Sequence, residues 1–220
     1  MTLIKNKTYE QHDNENGSYY QSSIKPFEFS EFLEDNLIVD ICVIGGGLTG
    51  ISSALNLAKK GYSVALCEAR AIGTGASGRN GGQLGIGMRK EQRVIEKKLG
   101  FEHARELWQL GLEAVRESTK LISDYNIHCS LQKGVISAGC YKNNKDNFLF
   151  EIDYMQKYYN FTGYKFLDIN AINDEINTKL YHSGLLNNYN YHINPLKFLI
   201  GLANQLVKLN VKIYQNTPVT

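Results

Sequence analysis

The sequence has few cysteines, no long apolar run and a polar beginning. Its four cysteines show no Cys-x-x-Cys spacing, which argues against a disulfide framework and favours reduced, buried thiols. The longest apolar runs, such as residues 37–44, are far shorter than the roughly 20 residues that a membrane-spanning helix needs. Residues 1–7 lack the apolar stretch of an export signal. We therefore predict no membrane span and a cytoplasmic location.

An excess of charge of one sign is also missing. The 24 lysines and arginines nearly balance the 22 aspartates and glutamates, so the net charge is only +2. A protein that binds nucleic acid through its phosphates needs clustered cations, and we therefore expect no nucleic-acid partner. With 43% hydrophobic and 21% charged residues, the 220-residue chain has the composition of a globular protein with one large domain or two small ones.

Glycine, by contrast, is concentrated in one part of the chain. More than half of the 20 glycines lie between residues 45 and 87. Just before them, residues 38–44 form a nearly continuous β-favouring run, which predicts a strand covered on both faces in a parallel sheet. Apolar residues at helical spacing over residues 48–58 and a second apolar run at 62–67 complete a β-α-β unit.

Gly45, Gly47 and Gly50 fit the dinucleotide-binding pattern G-x-G-x-x-G between that strand and that helix. Such glycines permit a tight turn, the approach of a pyrophosphate and close packing of helix on strand, and the helix N-terminus offers N–H groups to the phosphates. Glu68, at the end of the second strand, is placed to accept hydrogen bonds from a ribose. The negative charge of Glu68 would repel the 2′-phosphate of NADP, so NADP is disfavoured although Arg70 lies nearby. A glycine turn without a ligand is the alternative.

A second glycine-rich segment covers residues 73–83, directly after the second strand. So many small residues predict a backbone pressed against a flat or extended ligand. Arg79, Asn80 and Gln83 add hydrogen-bond donors that a cofactor needs. A flexible linker is the alternative interpretation of this composition.

These motifs resemble those of the D-amino-acid-oxidase-like FAD-dependent amine and amino acid oxidoreductases. The likeness covers almost the whole chain, at residues 18–20, 41–50, 68–70, 75–83, 107–108, 113–115, 194–198 and 201–203. It implies an α/β protein, with a Rossmann-like FAD-binding domain built on a parallel sheet and part of an α+β substrate domain.

The resemblance also implies which residues hold FAD. The pyrophosphate would lie at residues 45–50, the adenosine ribose at Glu68, the flavin ring along residues 76–83, and the adenine against the backbone of Val219. The cofactor-binding residues predicted on this basis are Gly45, Gly47, Leu48, Thr49, Gly50, Glu68, Arg70, Ala76, Ser77, Arg79, Asn80, Gly81, Gly82, Gln83 and Val219.

The reaction implied by the resemblance is oxidation of an amine or amino acid. A hydride leaves the α C–H of an unprotonated amine for FAD, the resulting imine is hydrolysed, and O2 or another acceptor reoxidises the flavin. Within the family, the likeness points to a small-molecule amine similar to γ-glutamylputrescine, and so to putrescine catabolism. The isolated histidines offer no acid–base pair, so no catalytic residue and no metal site is predicted; they are His103, His128, His182 and His192.

The chain is predicted to have five parts. These are an extended or loosely attached arm (1–36), the FAD-binding unit (37–90), a helical region packing on it (91–125), a partial substrate domain (126–193) and a return to the FAD-binding domain (194–220). Within the last two parts, we predict a strand pair or hairpin at 129–141, a helix at 146–159, extended chain at 184–193, a helix from Pro195 to about 209 and a strand at 211–214.

The later glycine-rich segment that covers the flavin in the family has no counterpart here, which implies a truncated chain with an unpaired sheet edge. One hypothesis is an active oxidoreductase whose remaining half comes from a continuation or a partner. Another is a non-catalytic remnant that at most binds a nucleotide. A third, an NAD-dependent dehydrogenase, gives no reason for residues 75–83. Residues 189–192 and Asn194 depart from the family pattern, which bears on the substrate domain and not on the cofactor site.

Overall fold

The computed structural model describes residues 17–29, 33 and 36–220. The strands are β1 (Ile41–Ile44), β2 (Val64–Cys67), β3 (Gln83–Leu84), β4 (Gln132–Gly139), β5 (Tyr164–Leu167), β6 (Ser183–His192) and β7 (Lys212–Tyr214). The helices are α1 (Tyr19–Ser22), α2 (Leu48–Lys59), α3 (Ala76–Arg79), α4 (Gln92–Leu99), α5 (Phe101–Asp124), α6 (Asn144–Tyr159), α7 (Ile169–Ile176) and α8 (Pro195–Lys208).

The chain forms two compact units. The first contains the chain up to Gly82, together with Leu121–Cys129 and Asn194–Thr220, and the second contains Gln83–Lys120 and Ser130–Ile193. Residues 83–120 therefore group with the second unit, whereas the sequence suggested a helical region at 91–125 that packs on the first. The side chains of α5 explain the difference, because Trp108 lies in an apolar cluster of the second unit with Met155 and Phe161.

The first unit is built on a parallel sheet with the strand order β1-β2-β7. The helix α2 connects β1 to β2, as the apolar pattern predicts, and α8 leads into β7. All four residues of β2 are buried, because the helix α2 packs on this central strand and alternate residues, Ala65 and Cys67, lie in an apolar cluster with Tyr214. The predicted α/β class with a Rossmann-like parallel sheet is confirmed.

The prediction that residues 38–44 form one strand covered on both faces is wrong. The strand begins only at Ile41, and Ile38 is 95% exposed. Within β1, Cys42 and Ile44 are exposed while their neighbours in the strand are half-buried. The physical reason is position: in the described part of the chain β1 pairs with β2 alone, so it lies at an edge of the sheet.

The described part of the predicted N-terminal arm is attached to the first unit. Phe27 is buried, and its carbonyl accepts a hydrogen bond from Nε2 of Gln215 at 3.2 Å. The hydroxyl of Ser23 accepts one from Nδ2 of Asn194 at 2.9 Å. The expectation of a loosely attached arm is therefore wrong for this part. Residues 1–16, 30–32 and 34–35 lie outside the described residues.

The second unit has an antiparallel sheet around the long strand β6. Strands β4, β5 and β3 all pair with β6, and α6 and α7 pack on the sheet. The predicted extended chain at 184–193 and helix at 146–159 correspond to β6 and α6. The predicted hairpin at 129–141 is wrong, because this segment holds the single strand β4, whose partner β6 lies about 50 residues further along the chain.

The four cysteines differ in exposure. Cys67 and Cys129 are buried, but Cys42 and Cys140 are exposed, so the prediction of buried thiols holds for only half of them. Among the described residues, no helix is both long enough and apolar enough to cross a membrane.

Candidate functional site

The first glycine turn, residues 45–50, joins β1 to α2. Gly45 has a φ of +103°, which favours glycine, and its N–H donates to the carbonyl of Cys67 at 2.8 Å. A Cβ on Gly50 would lie 1.9 Å from the carbonyl oxygen of Gly45. Because that oxygen belongs to the backbone, no side chain fits at residue 50. This geometry agrees with the predicted roles of the two glycines in the turn and in the packing of helix on strand.

The N-terminus of α2 lies at the same turn. Gly47 is the N-cap residue and provides no side chain to cap the helix. Instead, the hydroxyl of Ser77 accepts the N–H of Leu48 at 3.0 Å. Thr49 lies exposed in the first helical turn. A helix of 12 residues with an N-terminus of this kind attracts anions, because its first N–H groups have no partner within the helix.

The carboxylate of Glu68 lies against this turn. One of its oxygens accepts the N–H of Gly46 at 2.6 Å, and the other accepts the N–H of Arg70 at 2.9 Å. The side chain of Glu68 is partly exposed, and that of Arg70 is exposed. Each carboxylate oxygen has a second lone pair, so Glu68 keeps the capacity to accept hydrogen bonds from a ribose.

The second glycine turn, residues 73–78, repeats the geometry of the first. Gly73 has a φ of +91°, Gly75 is the N-cap of α3, and a Cβ on Gly78 would lie 2.1 Å from the carbonyl oxygen of Gly73. This segment is itself a G-x-G-x-x-G sequence. This repetition was not predicted from the sequence, although the spacing of the glycines is the signal that could have revealed it.

The residues predicted to lie along a flavin ring belong to three successive pieces of secondary structure. Ala76, Ser77 and Arg79 belong to the four-residue helix α3, in which Ala76 and Arg79 are exposed. A turn follows over residues 80–82. There the side chain of Asn80 donates to the carbonyl of Ser77 at 2.9 Å and accepts the N–H of Gly82 at 2.9 Å.

Gln83 lies in β3, which pairs with β6 in the second unit. Gly81, in the turn before it, is exposed. Because the segment from Ala76 to Gln83 is divided into a helix, a turn and a strand, each with its own hydrogen bonds, the alternative of a flexible linker is wrong.

Val219 lies on the other side of β2 from the helix α2. It is half-buried and packs against a cluster formed by Ala65, Cys67 and Tyr214. Nearby, the N–H of Thr217 donates to the carbonyl of Glu68 at 2.9 Å. Through these contacts the first unit brings together the two glycine turns, Glu68 and the end of the chain. The contact of each residue with FAD stays a prediction.

Comparison with known proteins decides the family. The pattern of the FAD dependent oxidoreductase family matches residues 40–220, which is most of the chain. The chain belongs to the FAD-dependent oxidoreductase family. The prediction of FAD as the cofactor is thereby confirmed, and the NAD-dependent dehydrogenase hypothesis is set aside.

Relatives of this chain include two bacterial proteins. The chain is 35% identical to gamma-glutamylputrescine oxidoreductase of Escherichia coli (strain K12) over 206 residues, which cover 92% of this chain and 47% of that protein. It is 30% identical to the probable oxidoreductase OrdL of Haemophilus influenzae over 201 residues, which cover 91% of this chain and 46% of that protein. The chain thus spans about half the length of the curated relatives that it matches.

Solved structures share the fold of this chain. The L-amino acid deaminase from Proteus vulgaris has a TM-score of 0.64 at 19% identity, over 86% of this chain and 43% of that one. Glycine oxidase from Bacillus cereus has a TM-score of 0.59 at 21% identity, over 81% of this chain and 46% of that one. At these identities the likeness establishes the fold alone.

Proposed function

We propose that this chain forms the FAD-binding part, and some of the substrate domain, of an oxidoreductase that oxidises the C–N bond of an amine or amino acid. The observation that carries the proposal is the convergence of the first glycine turn, Ser77 and Glu68 at the N-terminus of α2. Together they provide an anion-binding helix end next to a carboxylate, which is what a dinucleotide needs.

The chain's own residues fit FAD in three places. The bare backbone at Gly47 leaves room for a pyrophosphate, because a Cβ there would lie 3.0 Å from Oγ of Ser77 and fill that space. Ser77 accepts the N–H of Leu48, so its hydroxyl hydrogen is available to a phosphate oxygen. Glu68, fixed by two backbone N–H groups, presents its carboxylate to ribose hydroxyls. When bound, FAD supplies a hydride acceptor.

For the substrate, we propose an amine similar to γ-glutamylputrescine. The support is the name of the E. coli relative, together with the match over almost the whole of this chain. In the overall reaction the amine loses a hydride and a proton to become an imine, and water then hydrolyses the imine to a carbonyl compound and ammonia, or a smaller amine where the substrate is a secondary amine. O2 or another acceptor takes the two electrons. The protein's task is to bind, orient and desolvate the amine.

Cofactor binding is tested by titrating the purified chain with FAD and following the quenching of flavin fluorescence, with NAD as a comparison ligand. We expect binding of one FAD per chain and none of NAD. Gly47→Ala should weaken FAD binding by about tenfold or more, because its Cβ would enter the space between the turn and Ser77. Gly75→Ala is the matched control, since nothing lies within 4 Å of a Cβ there. A chain that takes up no FAD contradicts the proposal.

Turnover is tested separately with the FAD-loaded protein. Peroxide production or dye reduction is measured with γ-glutamylputrescine, other amines and D-amino acids. Oxidation of γ-glutamylputrescine ahead of the others supports the proposed substrate. Bound FAD without oxidation of any amine favours the second hypothesis, a chain that binds a nucleotide without catalysis.

A further inference from the structure

Two cysteine side chains of the first unit lie in contact. The sulfur atoms of Cys42 in β1 and Cys67 in β2 are 4.0 Å apart. In the parallel pairing of these strands Cys42 lies opposite Ala65, and Cys67 lies two residues further along β2. Because residues two apart in a strand point to the same face of a sheet, the two cysteines are diagonal neighbours on one face. Two thiols in contact are the starting point for a disulfide bond.

The two thiols differ in their exposure. Cys42 is exposed, whereas only 7% of Cys67 is exposed. Burial raises the pKa of the Cys67 thiol to about 11, so that it stays protonated near neutral pH. An oxidant in solution therefore meets Cys42 first, and Cys67 is held beside it as a second thiol. An accessible cysteine next to a resolving cysteine is typical of peroxide-sensitive sites.

The cysteine pair lies next to the first glycine turn. The carbonyl of Cys67 accepts the N–H of Gly45 at 2.8 Å. The carboxylate of the following residue, Glu68, accepts the N–H of Gly46 at 2.6 Å. A shift of the β2 backbone at Cys67 therefore acts on both hydrogen bonds that hold the turn against this strand.

We propose that Cys42 and Cys67 are a modification site, at which hydrogen peroxide forms an intrachain disulfide that loosens the first glycine turn. The thiolate of Cys42 attacks one peroxide oxygen, the O–O bond breaks, and the products are a sulfenic acid and water. The sulfur of Cys67 then attacks the sulfur of that acid. The S–S bond forms, the S–O bond breaks, and the hydroxide that leaves takes the thiol proton as a second water. Both sulfurs are oxidised and the peroxide is reduced.

The disulfide requires a small movement of β1. The two sulfur atoms must approach from 4.0 Å to about 2.05 Å, and diagonal neighbours in a sheet are farther apart than most disulfide-bonded residues. In the described part of the chain β1 pairs with β2 alone, so only one neighbouring strand resists this movement. A disulfide under strain is reduced more easily, and we therefore expect dithiothreitol to reverse the modification.

The inference rests on the proposed function only for a source of peroxide, since O2 that reoxidises a flavin becomes hydrogen peroxide. Added peroxide replaces that source in the test. The chain with Cys140→Ser is used, because this substitution removes the other exposed thiol. The folded protein is treated with a slight excess of peroxide and then unfolded in N-ethylmaleimide, which labels every remaining thiol. Its peptides are mapped by mass spectrometry without reduction.

We expect a cross-linked pair of peptides that joins Cys42 to Cys67 within one chain. Treatment with dithiothreitol should remove the cross-link. The buried Cys129 should carry the maleimide, which shows that the chain stayed folded during oxidation. Cys42 that carries added oxygen, or that is joined to a second chain, in place of the cross-link overturns the proposal.

Cys67→Ser, in the same Cys140→Ser background, is the matched control. Without a second thiol, the sulfenic acid of Cys42 should be oxidised further, with about ten times as much sulfinic acid as in the parent chain. Equal amounts in both proteins would show that Cys67 does not resolve the sulfenic acid. The cross-link in the parent chain decides the proposal even where this variant does not fold.

The effect on the glycine turn is measured by hydrogen exchange, which does not require FAD. The amides of Gly45 and Gly46 should exchange about tenfold faster in the disulfide form, because their acceptors lie at the displaced end of β2. The amides of α8 should keep their protection. Equal exchange of Gly45 and Gly46 in both forms overturns the proposed loosening. A chain that takes up no FAD in either form contradicts the proposed function and leaves this result standing.

Discussion

The two glycine turns of the first unit have the same backbone geometry in different surroundings. In each, a glycine with a positive φ is followed five residues later by a glycine whose Cβ would collide with the carbonyl of the first. A Cβ on Gly45 would meet nothing within 4 Å, whereas one on Gly73 would lie 2.3 Å from Cδ1 of Leu196. The first turn leads into a helix of 12 residues and the second into one of four.

The difference shows that the glycine pattern specifies a turn and that its surroundings decide what the turn can bind. A long helix with an accessible N-terminus concentrates positive potential, and Glu68 adds a hydrogen-bond acceptor beside it. The second turn packs against α8 and contributes the hydroxyl of Ser77 to the first. The second turn therefore supports the site that the first turn forms.

The largest effect is expected from alanine at the closing glycine of either turn. Gly50→Ala and Gly78→Ala should each lower the free energy of unfolding by about 3 kcal/mol, because the new Cβ meets backbone that cannot move aside. Chemical denaturation measures both. Similar losses would show that the two turns share one geometric requirement, and a loss at one position alone would contradict it.

The opening glycines should separate the turns. Gly45→Ala should cost about 1–2 kcal/mol from backbone strain, and Gly73→Ala more, because its Cβ also meets Leu196. A double-mutant cycle with Leu196→Ala measures the coupling by denaturant unfolding. We expect the additional cost at Gly73 to shrink in that background, while Gly45→Ala stays additive. Equal coupling at both glycines would remove this distinction between the turns.

Glu68→Gln tests the acceptor beside the first turn. The amide keeps the size of the side chain but turns a donor toward one of two backbone N–H groups. We expect the unfolding free energy to fall by about 1.5 kcal/mol and FAD binding to weaken. Glu117→Gln, at an exposed position of α5, is the control and should change neither. Unaltered FAD affinity in Glu68→Gln would argue against the ribose role.

Ser77→Ala should have a smaller effect. It removes the acceptor for the N–H of Leu48 and so leaves the first turn of α2 without this contact. A loss of about 1 kcal/mol is expected, as for an N-cap residue. Ser53→Ala, on the exposed face of the same helix, should not destabilise. Thermal unfolding of both variants would show whether the second turn stabilises the first.

The smallest effect concerns the entry to β1. Hydrogen bonds from the hydroxyl and the N–H of Ser63 lower the pKa of Asp40, which is ordinarily 3.8. A carboxyl with a lowered pKa stabilises the fold above its ordinary value, and that contribution is lost as the pH falls through the lowered value. Below about pH 4, the free energy of unfolding of Asp40→Asn should therefore change slightly less with pH than that of the wild type. Denaturant unfolding at a series of pH values measures this difference. The same pH dependence of the free energy of unfolding in the wild type and in Asp40→Asn would contradict the prediction.

Much of the site was predictable because its residues are close in sequence. The strand, turn and helix around residues 41–59 follow from local patterns. The glycine spacing predicts the role of Gly45 in the turn and that of Gly50 in the packing of helix on strand. The bond between Leu48 and Ser77 was not predictable, since it joins residues 29 positions apart. The pairing of β4 with β6 was missed for the same reason. A local pattern shows that a segment favours a strand, and only packing selects its partner.

By itself, the sequence determined the β-α-β unit, the glycine turn at residue 45 and the acidic residue after β2, because each depends on the conformational freedom or the hydrogen-bonding groups of nearby residues. The tertiary structure decided that β1 is an edge strand, that Cys42 and Ile44 are exposed, and that the second glycine turn supports the first. Those outcomes depend on which distant segments lie alongside each element, and burial is a property of that arrangement.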